Sequence, residues 1–344
     1  MHIPTIQPIH NDELLEQLQH EIDNKTKPQG SLGYLETLAR QIGQIQQTLD
    51  VELRNPSIVI FAADNGVTEE GISLFPQCVT RQMVENFLIG GAASSVFARQ
   101  NGFTTYIVDA GVNHDFGPRE GLIDRKVAYG TKNFVREPAM TREQCETAMA
   151  HAMEVVAGLD CNVIGFGEKG IGNTTPAAAL MHKFTGLPVA ECVGAGTGLN
   201  AEGILRKQRV IEAAVARHGE VTDPIDILAT FGGLDIAMMA GAMLKAAERR
   251  MVLLIDGFIA TSALFVARSL QPNILDYCVF SHCSDEHGHK QMLEILGGRP
   301  LLRLDLRLGE ATGCALAMPI LHAAVNMLRQ MATFDSAQVS RRCL

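Results

Sequence analysis

The sequence predicts an α/β protein built on a mostly parallel sheet with helices on both faces. Three observations point there. Short apolar, β-branched runs end repeatedly in a small or acidic residue: Ile58 to Ala62 before Asp64, Thr104 to Val108 before Asp109, Val163 to Phe166 before Glu168, and Val189 to Val193 before Gly194. The pattern continues with Ile227 to Phe231 and with Val252 to Ile255 before Asp256. Each run is followed by a helix-like pattern, and the runs are apolar throughout rather than alternating, as in strands buried on both faces. Finally, 344 residues with 47% hydrophobic content suffice for a large core.

Before the first strand the chain reads as helical. Asn11 and Asp12 offer a cap for a segment running to Ile22, and Leu32, Leu35, Leu38, Ile42 and Ile45 recur at helical spacing. Between them, Lys27 to Gly33 is turn-forming. The last long helical pattern, Thr312 to Met331, follows Leu308-Gly309-Glu310, and the polar tail after Phe334 is expected to fray. No fixed-period repeat and no low-complexity tract interrupts this order.

Charge and composition exclude several classes of function. Lys plus Arg number 29 against 38 Asp plus Glu, a net charge of -9, and no basic block is present to track a nucleic-acid backbone. The first 24 residues are polar and acidic, unlike a signal or transit peptide. The most apolar stretch, Met251 to Ala267, is interrupted by Asp256, Gly257, Thr261 and Ser262. A cytoplasmic protein with neither nucleic-acid nor membrane partners is expected. The eight cysteines contain no C-x-x-C pair and read as reduced thiols. Cys278 and Cys283 lie among His282, His287 and His289, but their spacing matches no structural zinc pattern, so neither metal nor cofactor is expected.

In sheets of this kind ligands sit beyond the carboxyl ends of the strands. The candidates there are Asp64, Asp109, Glu168, Gly194 to Gly198, Gly232-Gly233 and Asp256-Gly257. The densest signal is Gly165 to Pro176, joining a strand to an Ala-rich helix. Its glycines permit a sharp turn, Asn173 and Thr174 suit a helix cap, and Pro176 suits a first turn. Amides at that helix start would receive an anion, or the segment reverses the chain and nothing more. Gly194-Ala195-Gly196-Thr197-Gly198 is a second glycine loop, short of a dinucleotide fingerprint by its third glycine. Lys207 beyond it either offers a point charge to phosphate or is solvated. Asp64 and Asp256 read equally as ribose ligands or as helix caps, and Phe75 as a stacking face or as core. Glu310 lies among apolar and small residues, where burial would make it a base near neutral pH, or it is an ordinary first-turn glutamate.

Taken together these segments resemble one family, the nicotinate-nucleotide:dimethylbenzimidazole phosphoribosyltransferases of cobalamin biosynthesis. The matching pieces run in order over nearly the whole chain. They are Lys27 to Gly33 with Leu35-Glu36, Ala63 to Val67, Phe75-Pro76 with Val79-Thr80, Gly167-Glu168 with Gly170 and Asn173 to Ala178, Gly232 to Asp235, Asp256 to Phe258, Ser281-His282, and Leu308 to Pro319. The resemblance implies transfer of phosphoribose from nicotinate mononucleotide to a benzimidazole, with inversion, giving nicotinate and α-ribazole 5′-phosphate. It places the general base on Glu310 and a second carboxylate, Glu168, near the ribose. Phosphate and ribose contacts fall on Gly170, Gly172, Asn173, Thr174, Thr175, Gly194, Gly196 and Lys207, and the base pocket on Phe75, Met83 and Leu308. It further implies a Rossmann-like domain over 51–324, a small helical domain from 1–50 and about 325–344, and a homodimer. Lys169 departs from the family pattern, which has an apolar residue beside the base; its stem is expected to pack with its charge pointing away, leaving Glu310 untouched.

Other readings compete. An NAD-dependent oxidoreductase would explain the glycine loops but requires G-x-G-x-x-G after the first strand, where Ala63-Asp64-Asn65-Gly66 stands. A non-catalytic nucleotide-binding module would keep the anion sites without needing Glu310. A relative acting on another azole or a phenolic acceptor would use the same residues.

Overall fold

The computed structural model describes residues 1–340, so the extreme end of the polar tail, with Cys343 and the end of the 325–344 segment, lies outside the described residues. In chain order, α1 (Asp12–Asp23) and α2 (Tyr34–Gln46) precede β1 (Ser57–Ala63). Then α3 (Cys78–Leu88) and α4 (Ala93–Gln100) lead to β2 (Thr104–Gly111) and β3 (Leu122–Asp124), and α5 (Arg142–Ala157) leads to β4 (Val163–Lys169). Five helices follow: α6 (Thr174–Thr185), α7 (Val189–Cys192), α8 (Ala201–His218), α9 (Pro224–Phe231) and α10 (Leu234–Glu248). After them come β5 (Val252–Ile255), α11 (Phe258–Leu270), β6 (Cys278–Phe280), α12 (His289–Leu296) and α13 (Thr312–Gln330).

All strand pairs are parallel, in the order β3-β2-β1-β4-β5-β6. This is the order of dinucleotide-binding doubly wound sheets, and the connections reverse direction between β1 and β4. There the helices that follow the two strands leave to opposite sides and open a crevice above their carboxyl ends. Every residue of β1 is buried, as a continuous apolar run requires of a central strand. Helices α5, α10 and α11 pack as one layer, and α3, α4 and α13 contribute to another.

Four of the six expected strands form. The Val189 to Val193 run is instead the single-turn α7, and Ile227 to Phe231 lies within α9. The reason for α9 is local: Asp223 accepts from the amides of Ile225 and Asp226, and Pro224 occupies the first helical position. A filled cap with Pro at the first position starts a helix whatever the β-branching that follows. The edge strands β3 and β6 are three residues each, too short to carry a pattern.

At the other end of the molecule the two ends of the chain meet. Residues Lys25 and Thr333 form an antiparallel bridge, Thr26 N–H donates to Ala332, and Phe334 N–H donates to Asn24. Helix α13 packs on α2, so the last described helix is held by one of the first.

Candidate active site

Beyond the carboxyl ends of β4 and β5 lies a cleft walled by the β4–α6 turn, the glycine loop at Ala195–Thr197, the start of α11 and the segment Arg307–Gly309.

The β4–α6 turn forms because its glycines stand where no side chain fits. A Cβ on Gly170 would lie 2.4 Å from the Ala63 carbonyl oxygen, and Gly172 has φ of +82°. Helix α6 therefore starts at Thr174 against the cleft; the Thr175 amide donates back to the Gly172 carbonyl and Pro176 has no N–H, so the helix end faces the cleft through its dipole. Asn173 does not cap this helix, contrary to expectation. Its amide nitrogen donates to Glu168 Oε2 at 2.8 Å and to Asp235 Oδ2 at 3.3 Å, joining two buried carboxyls. Burial raises Glu168 well above the usual carboxylate range, with the Asp235 charge adding to it, and raises Asp235 to about 6.

Lys207 on α8 is fully buried. Its Nζ donates to Thr174 Oγ1 at 2.6 Å and reaches the Gly194 carbonyl at 3.5 Å. This excludes the solvated reading. Burial lowers its pKa to about 8, opposed only by the nearby Glu286 charge. Below that value an ammonium stands behind the α6 start, where it adds a full charge to the partial charge of the helix end.

The glycine loop departs from expectation in one respect. The Gly196 amide, expected to face phosphate, donates to both oxygens of the buried Glu286 carboxylate at 3.1 Å. The Gly196 carbonyl accepts from Arg307 at 3.1 Å. Arg307 and Glu286 both line the cleft, yet neither sits in a regular element that would have drawn notice in the sequence.

Glu310 occupies a strained turn. Gly309, Glu310 and Ala311 have φ of +78°, +62° and +58°, three successive left-handed residues before α13. For the two non-glycines this costs on the order of 1–2 kcal/mol each, which the packing must hold. Three contacts do so. The turn lies directly on Gly167, where a Cβ would sit 2.7 Å from Ala311 N and from Glu310 C. The Glu310 amide approaches Glu168 Oε1 at 3.4 Å. Asp256, at the end of β5, accepts from the Cys314 amide and so caps α13 across the sheet. Asp256 is thus a cap after all, for a distant helix. The Glu310 side chain is 1% exposed, and Lys169 Nζ donates to its Oε1 at 2.9 Å. Lys169 therefore points its charge at Glu310, against the expectation that it would turn away.

The other expected residues divide. Glu168, Gly170, Gly172, Asn173, Thr174, Gly196 and Leu308 line the cleft, while Thr175, Gly194 and Lys207 lie directly behind its wall. Phe75 is 48% exposed on the loop that follows the cleft residues Ile72 and Ser73, and Met83 is half-buried on α3; neither is among the residues lining the cleft. Asp64 and Asp109 serve the sheet: Asp64 accepts from Asn113 N, and Asp109 pairs with Lys126 at 2.7 Å. In the Cys/His segment, His289 is a satisfied core residue. Its Nδ1 accepts from Ser284 N, Nε2 faces Thr261 Oγ1, and burial lowers its pKa to about 3.

Comparison with known proteins gives a consistent result. A family model described as phosphoribosyltransferase matches residues 6–339. The chain is 65% identical to the nicotinate-nucleotide–dimethylbenzimidazole phosphoribosyltransferase of Janthinobacterium sp. (strain Marseille), over 98% of this chain and 99% of that one. It is 55% identical to the protein of the same name from Cupriavidus taiwanensis, over 99% of each. Among solved structures, CobT from Thermus thermophilus superposes with a TM-score of 0.92 at 42% identity, covering 96% of this chain and all of that one.

Proposed function

The chain belongs to the phosphoribosyltransferase family, and we propose that it moves the phosphoribosyl group of nicotinate mononucleotide onto 5,6-dimethylbenzimidazole with Glu310 as the general base. The observation that carries the assignment of the base is the position of Glu310. It is a buried carboxylate on a strained turn, not itself among the lining residues but next to the cleft residue Gly309 and bonded to the cleft residue Lys169, while Lys207 stands behind the wall formed by the start of α6. One region suits an anion and the other suits a proton.

In this reading the nucleotide phosphate lies at the start of α6, against the charge of Lys207. The C1′–N bond to the pyridinium breaks as a nitrogen of the benzimidazole bonds to C1′ from the opposite face, and the cationic ring leaves as neutral nicotinate. The acceptor's other N–H loses its proton to Glu310. Little force is needed to expel such a leaving group, so the protein's work is alignment and deprotonation. Glu168, whose carboxyl burial pushes well above the usual range, stands in the cleft wall where the ribose would lie. A homodimer, a cytoplasmic location and a helical unit formed by residues 1–50 with about 325–344 belong to the same reading; the bridge between Lys25 and Thr333 supports the last. Among the described residues no helix is long and apolar enough to cross a membrane.

The test is direct. Purified protein, incubated with nicotinate mononucleotide and 5,6-dimethylbenzimidazole, is expected to release nicotinate and form α-ribazole 5′-phosphate in equal amounts. No product with this acceptor would overturn the proposal. Product obtained only with another azole or a phenol would move it to that acceptor.

Lys207 gives this reading a pH signature. A lysine whose folded pKa lies at about 8 holds phosphate below that pH and loses its charge above it. In kcat/KM for the nucleotide, which reports groups of the free enzyme, a basic limb is expected near pH 8. Lys207→Met should raise KM and abolish that limb. An unchanged limb in the variant would assign it to another group.

A further inference from the structure

Lys169 and Glu168 are consecutive residues at the end of β4, so their side chains leave the strand on opposite faces. Both nevertheless engage the Gly309–Ala311 turn, Glu168 through the Glu310 amide and Lys169 through the Glu310 carboxylate. The turn is thus held from both sides of one strand end. Lys169 also lines the cleft, whereas the partner it grips is almost wholly buried. Of the charged groups around this pair, Arg307 in the same cleft wall is bonded to the Gly196 carbonyl. Glu168 lies beneath the turn on β4, with Asp235 from α10 joined to it through Asn173. Asp256 and Cys314 meet at the start of α13, and the buried His282 ring presses on Gly313. Among them Lys169 is the one cation bonded to a carboxylate of the cluster. Without it, a charged Glu310 would stand in a buried site among other carboxyls with no ammonium bonded to it.

We infer that Lys169 is a positioning residue for the base: its ammonium takes one oxygen of the Glu310 carboxylate, fixes the orientation of that group, and leaves the second oxygen for the acceptor N–H. The inference rests on the reading of Glu310 as the base. An ammonium at 2.9 Å stabilises negative charge on the oxygen it touches, so its removal should weaken the base most where solvent protons compete for that oxygen. The same bond restrains the side chain of a residue whose backbone is already fixed by the left-handed turn.

The experiment measures kcat and KM between about pH 5.5 and 9 for the full chain, Lys169→Met, Lys169→Gln, Lys169→Arg and Glu310→Gln, with nicotinate mononucleotide and 5,6-dimethylbenzimidazole. Lys169→Met and Lys169→Gln should lose roughly tenfold in kcat at the acid end of this range. They should recover to the parent rate or above it near pH 9, because a carboxylate without its cation is the stronger base. KM for the nucleotide should stay within about twofold, and Lys169→Arg should restore the parent profile. A purely structural lysine would lower the rate by the same factor at every pH, and that result would overturn the inference. A change confined to the nucleotide KM would also overturn it, assigning the ammonium to the carboxylate of the nicotinate ring. Thermal melts establish that each variant is folded; if methionine is not tolerated, glutamine, which keeps a donor without the charge, decides alone. Glu310→Gln separates the two claims, since an active Glu310→Gln enzyme removes the base itself, whereas a dead one beside an unshifted Lys169→Met profile removes only the role of the lysine.

Discussion

Glu310→Gln is expected to lower kcat by about 10²–10⁴, the usual worth of a positioned general base. The substitution is close to isosteric, so the left-handed turn, the contact with Gly167 and the burial of the side chain should persist. What changes is chemical: a carboxamide cannot take the azole proton, and its NH2 group can be turned toward the Lys169 ammonium only at the cost of the present 2.9 Å bond. The phosphate region is built from other residues, Thr174, Lys207 and the α6 start, so KM for the nucleotide should change little. The rate should then fall at all pH values rather than shift with pH. Steady-state formation of α-ribazole 5′-phosphate decides the matter, and a variant within tenfold of the parent would show that the proton leaves by another route.

Nearly as large an effect is expected from Gly167→Ala, a change in the strand rather than in the site. The added methyl would meet two backbone atoms at 2.7 Å, Ala311 N and Glu310 C, closer than van der Waals contact allows. Neither atom is the free end of a side chain, so the whole turn must rise from the sheet. Overpacking of this kind costs about 1–3 kcal/mol of stability. Displacing the base by about 1 Å costs about 10²-fold in rate where alignment is the main source of catalysis. Gly158→Ala supplies the comparison, since its Cβ would find only ordinary contacts, the nearest at 3.5 Å, and it should retain activity and melting temperature. Wild-type turnover in Gly167→Ala would mean that the turn is not seated by this contact.

These two residues illustrate what could be read from the sequence. The strands β1, β2, β4 and β5 were legible because each is a long apolar run, and the doubly wound arrangement followed. Two β-branched runs misled, because Asp223 and Pro224 outweighed the propensity of Ile225 to Phe231, and Pro188 opened a helical turn at Val189. Glu168, the β4–α6 glycines and the Leu308–Glu310 segment were visible as local clusters. The pairing of Lys169 with Glu310 was not, since 141 positions separate them and only the fold brings strand end and turn together. Glu286 and Arg307 escaped for a related reason: they lie in irregular segments, and each acts through the backbone of a glycine loop distant in sequence. Asn173 was expected to cap a helix, and it serves instead as a bridge between two acids that no local pattern connects.

The meeting of the chain's two ends has a consequence for how the molecule is made. Synthesis proceeds from the amino end, and a sheet with its covering helices begins to assemble as soon as its strands are available. Helix α2 is among the first segments to emerge, yet the surface it presents to α13 stays uncovered until residues 312–330 arrive. The turn bearing Glu310 immediately precedes that helix, so the nucleotide-facing walls at β4 and α6 can stand before the group that draws the proton is in place. A nascent chain would hold its donor site before it could use it, and docking of α13 on α2 completes the tertiary structure and the catalytic centre in one late event.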